Sequence, residues 1–322
     1  MKKDERRVYK IGIREYCMTV YSCDREGKTE KMKTDELRVT AVITTYKREW
    51  SSILRSVESI LAQTSPVEEI LIIDDNPIPN AFSETIAAGA KRIEKVRYIS
   101  LNGNHGVGYA RNKAAEEAKG NLIAYLDDDD EWLPDKTEKQ LGIYREHPDA
   151  GLVFGVGQIH NDDTRKDMGL TWSYSVFKEH PLYKDMLAND HVGSASHPMI
   201  RVEAMRKTGG FRGREMRAVE DYELWIRIIK EYPAYGIPVP LYIKHMNDQE
   251  HVSRNHNRTF EGYRYIYHEF ADDYASLPYA RKNILWNIVR EGVKAKNYRV
   301  LPYFWKWLIL KWNKQAGSKK LL

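Results

Sequence analysis

From residue 39 to residue 127 the chain alternates short apolar runs with amphipathic stretches. Val39–Thr45 is a continuous β-branched, apolar run, the pattern of a strand buried on both faces. Over Ser51–Gln63, Ile53, Leu54, Val57, Ile60 and Leu61 recur at helical spacing. The unit then repeats. Glu69–Asp75 predicts a second strand ending in carboxylates, Phe82–Ile93 a helix, and Val96–Leu101 a third strand. Gly106–Lys119 predicts a helix closed by Gly120 as a left-handed cap, and Asn121–Leu126 a fourth strand running straight into Asp127–Asp130. A helix to His147 and a strand over Gly151–Gln158 continue the series. This alternation predicts an α/β domain with a mostly parallel sheet and helices on both faces. Ligands gather at the carboxyl ends of such strands. Those ends carry Thr44–Tyr46, Asp74, Asp75 and Asp127–Asp130.

Beyond residue 158 the pattern weakens. Residues 160–190 show no clear period and are expected to be irregular; order returns at Pro198–Met205 and Asp221–Tyr232. From about Phe260 the chain is aromatic-rich and helical in pattern. We therefore expect an N-terminal arm or hairpin over 1–36, a sheet domain over 37–256, and a helical C-terminal extension over 257–322.

Composition narrows the function classes. A net charge of +5 is too small an excess to imply nucleic-acid binding. Cys17 and Cys23 cannot build a disulfide framework or a four-thiolate zinc site, and they suit a reducing cytosol. The opening Met1–Arg7 has no apolar run behind it, so no signal peptide is expected, and no stretch is long and apolar enough to cross a bilayer. The expected location is cytoplasmic.

Four consecutive aspartates at the mouth of a buried strand repel one another, and protonation, solvent or a cation must relieve that repulsion. On an extended segment Asp127 and Asp129 would face one side, and oxygen-only ligands suit Mg²⁺ or Mn²⁺. A solvated acidic loop is the plainer alternative. A calcium loop fits poorly, because the sixth position from Asp127 is Trp132 rather than Gly. One or two carboxylates become an adequate magnesium site when a diphosphate supplies the other oxygens. Neither the phosphate-binding loop nor the full dinucleotide fingerprint is present.

Five motifs in order now carry a resemblance. They are Val42–Arg48, Ile72–Asn76, Gly106–Asn112, Tyr125–Pro134, and Gly209–Phe211 followed by Val219–Trp225. Over about Val39–Ser253 the chain resembles the glycosyltransferase family 2 proteins, inverting enzymes with the GT-A nucleotide-sugar-binding fold. The resemblance implies that Thr44 and Tyr46 line the base pocket, with Tyr46 stacked on uracil, and that Asp75 accepts from the base imide. Arg111 would reach the nucleotide, Asp128 would hold the ribose, and Asp129 would bind Mn²⁺ or Mg²⁺ with Asp127 beside it. Asp221 falls at the general base, next to Glu220. Thr44 and Lys47 replace the Pro and Asn often found in the opening loop, and Arg212 stands where an acidic residue is usual. These departures put the acceptor in doubt more than catalysis.

The implied activity is metal-assisted transfer of a hexosyl or N-acetylhexosaminyl group from a UDP-sugar to a hydroxyl of a glycan, glycolipid or polymer. A catalytically inactive nucleotide-sugar-binding module is the alternative, and a receiver domain is disfavoured by length. Asp221 also suits a helix N-cap, and His245 or His251 could add a metal ligand. At the C-terminus, Leu301, Phe304, Trp305, Leu308, Ile309 and Trp312 share one helical side. Arg299, Lys306, Lys311 and Lys314 gather on the other, with Lys319 and Lys320 beyond. Such a stripe over 299–320 can dock on the catalytic domain, pair two subunits in a homo-oligomer, or rest peripherally on the inner face of a membrane.

Overall fold

The structure is a computed structural model that describes residues 36–213, 216–246 and 255–318. The arm expected over 1–36 (save Glu36), together with His251, Lys319 and Lys320, lies outside these residues.

The predicted alternation is present: β1 (Val39–Thr45), α1 (Trp50–Leu61), β2 (Glu69–Asp74), α2 (Ala81–Ala90), β3 (Val96–Ser100), α3 (Val107–Glu117) and β4 (Leu122–Asp127). Then follow β5 (Glu131–Trp132), α4 (Lys136–Glu146), β6 (Leu152–Asn161), β7 (Lys166–Leu170), α5 (Tyr183–Ala188), β8 (Met199–Arg201), α6 (Val202–Thr208), α7 (Glu220–Glu231) and β9 (Ala234–Met246). The chain continues with α8 (His256–Glu269), α9 (Ala271–Ser276), α10 (Pro278–Lys294) and α11 (Leu301–Ser318).

The strands form one sheet in the order β3-β2-β1-β4-β8-β6-β9-β5, with β7 on β6. From β3 to β4 every pairing is parallel, and both faces of β1, β2 and β4 are buried while the edge strand β3 is half-buried. Val42, Leu71, Ile73, Ile123 and Tyr125 enter one core, while Ala41, Ile43, Ile70, Ile72 and Ala124 enter the other. That is the period-two alternation of a sheet covered on both sides. Beyond β4 the sheet is mixed, since β8 runs antiparallel to β4 and β6 while β9 runs parallel to β6. The C-terminal helices share the first core through Phe260, Tyr274, Ile284 and Ile288.

Two expectations are corrected. Residues 160–190 are not irregular throughout, for β6 and β7 pair across 158–170 and α5 follows. Gly120 is not a left-handed cap: α3 ends earlier at Ala118 in extended backbone. A Cβ at Gly120 would come within 2.5 Å of the Arg38 carbonyl oxygen, so glycine is needed for close approach to β1. Strand β9 carries Pro238 and Pro240, which mask its strand pattern in sequence. Its register with β6 slips near Phe154–Gly157, opposite those prolines.

Candidate active site

The chain builds β2 and β3 outward on one side of β1, then returns to place β4 on the other. This switch in direction opens a crevice at the carboxyl ends of β1 and β4. The β1–β4 register sets Thr44 beside Asp127, and the β1–β2 register sets Thr45 beside Asp74. Tyr46 follows on the open loop and is 40% exposed, so its ring is free to meet a ligand. Lys47 Nζ lies 5.3 Å from the centre of its ring.

The two aspartates that end β2 divide their labour. Asp74 is fully buried and accepts from Asn76, from the Ser83 hydroxyl at 2.5 Å and from the Tyr98 hydroxyl at 2.7 Å. It holds the loop, while burial and its charge push Tyr98 up to about 12. Asp75 instead accepts the backbone N–H groups of His105 and Gly106 and lies 3.1 Å from His105 Nδ1. Its carboxylate therefore fixes the loop that opens α3.

The acidic run is not an extended segment, which corrects the alternation argument. Asp130 N donates to Asp127 O at 3.1 Å, so residues 127–130 make a turn. Helix α1 clamps the backbone of that turn. Ser52 and Ser56 donate to the carbonyls of Asp128 and Asp130, and Arg55 donates to that of Asp129. Arg48 spans two of the carboxylates, with Nε 3.0 Å from Asp128 Oδ1 and Nη2 2.8 Å from Asp129 Oδ2. Burial still pushes Asp128 up to about 6, with Arg48 opposing. Asp130 is buried against His245 N and Ser196, and burial holds it well above the usual carboxylate range. It belongs to the scaffold.

Arg111 joins this acidic turn to the start of α7. The side chain is buried; Nη2 lies 3.1 Å from Asp127 Oδ1 and Nη1 lies 3.5 Å from Glu220 Oε1. Burial alone would lower its pKa, but Asp127, Glu220 and Asp221 raise it. Its Nε has no hydrogen-bond partner among the described residues. Two motifs hold it in place, for Asn112 pairs with the backbone N–H and carbonyl of Phe211, and the Phe211 ring lies under the guanidinium.

Asp221 is not the helix cap. Val219 takes that position with φ +56°, a left-handed conformation that β-branched residues rarely adopt. That turn brings Glu220 and Asp221 into the first turn of α7. Burial, then Glu220 and Asp190, push Asp221 up to about 8, with Arg111 opposing. Helix α8 presses against the same turn, since a Cβ on Gly262 would meet the Ala218 carbonyl oxygen at 2.5 Å.

Among the described residues no preformed cluster of three or more metal-ligating side chains occurs. The donor chemistry still suits a hard cation shared with a diphosphate. Asp127 and Asp129 are oxygen ligands and each retains about a third of its side-chain exposure. His245 is otherwise engaged, its ring 2.6 Å from Asp162 and 2.8 Å from Glu131.

The crevice thus brings Thr44, Arg111, Asp127, Asp128, Asp129 and Asp221 around one switch point, with Tyr46 on the loop after β1 and Asp75 holding the loop before α3. The sequence profile of glycosyl transferase family 2 matches residues 40–209, more than half of the chain. The chain belongs to that family. The putative teichuronic acid biosynthesis glycosyltransferase TuaG of Bacillus subtilis is 31% identical over 56% of this chain and 69% of its own length. The UDP-Glc:alpha-D-GlcNAc-diphosphoundecaprenol beta-1,3-glucosyltransferase WfgD of Escherichia coli is 25% identical over 81% of this chain and 95% of its own. Among solved structures, S. aureus TarS 1–349 in complex with UDP-GlcNAc superposes with a TM-score of 0.62 at 16% identity, covering 81% of this chain and 74% of that one. At that identity the likeness is one of fold.

For this family 2 chain, sequence reasoning missed Arg48, Arg55 and Lys244. Burial would lower the pKa of Lys244, but Asp130, Asp127, Asp129 and Asp221 raise it, so it lies amid the acidic groups of the site. The charge of the acidic turn was the available signal, because four carboxylates need cations nearby. Arg48 and Arg55 lay within reach of that argument. Lys244 did not, since it sits on the strand that the prolines concealed.

Proposed function

We propose that this glycosyltransferase moves a sugar from a UDP-sugar to a hydroxyl of a glycan, lipid-linked glycan or polymer, with inversion at the anomeric carbon. One observation carries the reading. Arg111 ties Asp127 to Glu220, beside the half-buried Asp221 whose pKa is pushed up, so the groups proposed for donor and base lie next to one another. Relatives with names in polysaccharide and lipid-linked glycan assembly support the acceptor class, and the UDP-GlcNAc-bound neighbour supports the donor.

In the proposed reaction Tyr46 stacks on the uracil, Thr44 lines the base pocket, Asp128 holds the ribose and Arg111 steadies the nucleotide. Asp75 takes the base imide in addition to its loop contacts. The acceptor oxygen bonds to the anomeric carbon as its proton passes to Asp221. The bond from that carbon to the diphosphate breaks, and its electron pair leaves on UDP. A pKa near 8 makes Asp221 a stronger base than an ordinary carboxylate. A single displacement needs no protein nucleophile. Asp129 and Asp127 would hold Mn²⁺ or Mg²⁺, which would supply Lewis-acid stabilisation of the leaving charge.

Titration of the protein with UDP and GDP, in Mn²⁺ and in EDTA, tests the donor side. UDP should bind at least about tenfold more tightly with Mn²⁺, and Asp129→Asn should abolish that gain. Equal UDP affinity in EDTA removes the metal, and equal competition by GDP removes the uridine preference. Release of free sugar from a panel of UDP-sugars identifies the donor.

A further inference from the structure

The helical stripe at the C-terminus has a definite placement. Helix α11 docks on the protein through Tyr303, Trp307 and Leu310, which pack against the core that α8 and α10 share. The Tyr303 hydroxyl accepts from Arg264 at 2.9 Å and lies 2.8 Å from His268 Nε2. The apolar stripe is on the outer side. Trp312 is 70% exposed, Trp305 60%, Ile309 58% and Leu301 57%, with Phe304 at their border. The stripe therefore does not serve docking within the described chain.

The patch continues beyond one helix. Trp286 of α10, itself exposed, stacks on Trp307 with centroids 4.9 Å apart; Trp307 lies 6.3 Å from Phe304, and Phe304 lies 5.8 Å from Trp305. Lys306 and Lys311 do not oppose the stripe as a group, which corrects the sequence wheel. At about 100° per residue they fall on its two borders. Their ammonium groups lie 5.8 Å from the Tyr303 ring and 5.0 Å from the Trp307 ring. Cations flanking an aromatic-rich apolar strip can reach headgroups while the strip enters the acyl boundary.

We propose that α11 and the Trp286 edge of α10 form a docking surface for an anionic lipid bilayer. Charge decides between lipid and a second copy. Glu291 is the last acidic residue; residues 292–322 hold eight Lys and Arg and no Asp or Glu. A two-fold pairing of this surface brings its bordering cations, Lys306 and Lys311, against those of the second copy, whereas anionic headgroups complement them. No helix of the described residues is long and apolar enough to cross a membrane, so the contact is peripheral. The inference stands on this surface alone. It also agrees with a lipid-linked acceptor, which rests on the function proposed above.

The test is co-sedimentation of the full chain with phosphatidylcholine vesicles that do or do not contain about one-third phosphatidylglycerol. The wild-type chain should pellet with the anionic vesicles and be released by high salt. The triple substitution Trp305→Glu, Ile309→Glu, Trp312→Glu should weaken partition at least about tenfold while UDP binding stays unchanged. These residues are exposed, so the variant keeps its core; UDP titration confirms the fold and separates this test from the catalytic reading. Analytical ultracentrifugation supplies the other arm. A wild-type chain that stays in the supernatant at low salt, or a variant that pellets as the wild type does, overturns the proposal. A wild-type dimer that the substitutions dissociate, with no vesicle binding, assigns the surface to a second copy instead.

Discussion

Two acidic groups face one crevice and are treated in opposite ways. At the end of β4, Asp127, Asp128 and Asp129 are met by guanidinium groups, Arg111 on the first and Arg48 on the other two. At the start of α7, Asp221 sits half-buried near the charges of Glu220 and Asp190, and its pKa rises to about 8. Guanidinium groups thus partner the carboxylates at the end of β4, whereas like charges crowd the one at the start of α7, and we propose the first group as ligands and the second as the base. Placement creates the difference, since environment sets how readily each carboxylate takes up a proton.

The largest expected effect comes from removing the basic member. Asp221→Asn should lower kcat by at least about 100-fold with little change in UDP affinity, the usual worth of general-base assistance. In the wild type the base must be deprotonated, so kcat/KM should rise with pH and level off above about 8. Steady-state kinetics from pH 6 to 9.5, roughly, would show that limb. A flat profile, or near-normal turnover in Asp221→Asn, would make the two carboxylate groups equivalent and end the comparison.

A smaller effect should come from the donor side. Arg48 occupies two carboxylates, one of which the metal is proposed to use. Arg48→Ala should therefore tighten the binding of Mn²⁺ alone severalfold, on the order of 1 kcal/mol for an exposed ion pair removed. Isothermal titration with Mn²⁺ in the absence of nucleotide reads this directly. Weaker Mn²⁺ binding in that variant would show Arg48 organising the ligands rather than competing for them.

The smallest effect concerns the loop between the two sides. Lys47 has φ +54°, and its N–H donates to the Asn76 side chain at 2.9 Å. A left-handed conformation costs a lysine roughly 1 kcal/mol that glycine escapes. Lys47→Gly should raise thermal stability slightly, offset in part by the extra freedom of glycine in the unfolded chain. A fall in the melting temperature of several degrees would mean that the Lys47 side chain, near the Tyr46 ring, holds the loop by itself.

Much of the site was legible before the structure. The strand ends at Thr44–Tyr46, Asp75 and Asp127–Asp130 follow from local runs of apolar residues, because a parallel sheet buried on both faces must be written as continuous hydrophobic segments. Helix α7 and its acidic start were legible for a similar reason. Strand β9 was not, since Pro238 and Pro240 fall where its register with β6 slips and local pattern reads them as breaks. Lys244 was lost with it.

The sequence by itself determined which segments are strands and helices in the first half, which end of the sheet is acidic, and that the C-terminal helix carries an apolar stripe. These are properties of neighbours along the chain, fixed by the periods of 2 and 3.6 residues. Tertiary structure alone decided that Asp74 would serve the scaffold while Asp75 serves the loop before α3, one residue apart. It also decided that Arg111 would bridge residues 16 and 109 positions away in sequence, and that the apolar stripe of α11 would face outward. Burial and long-range charge set these roles. Both depend on what the rest of the chain brings within a few ångströms, which no local window contains.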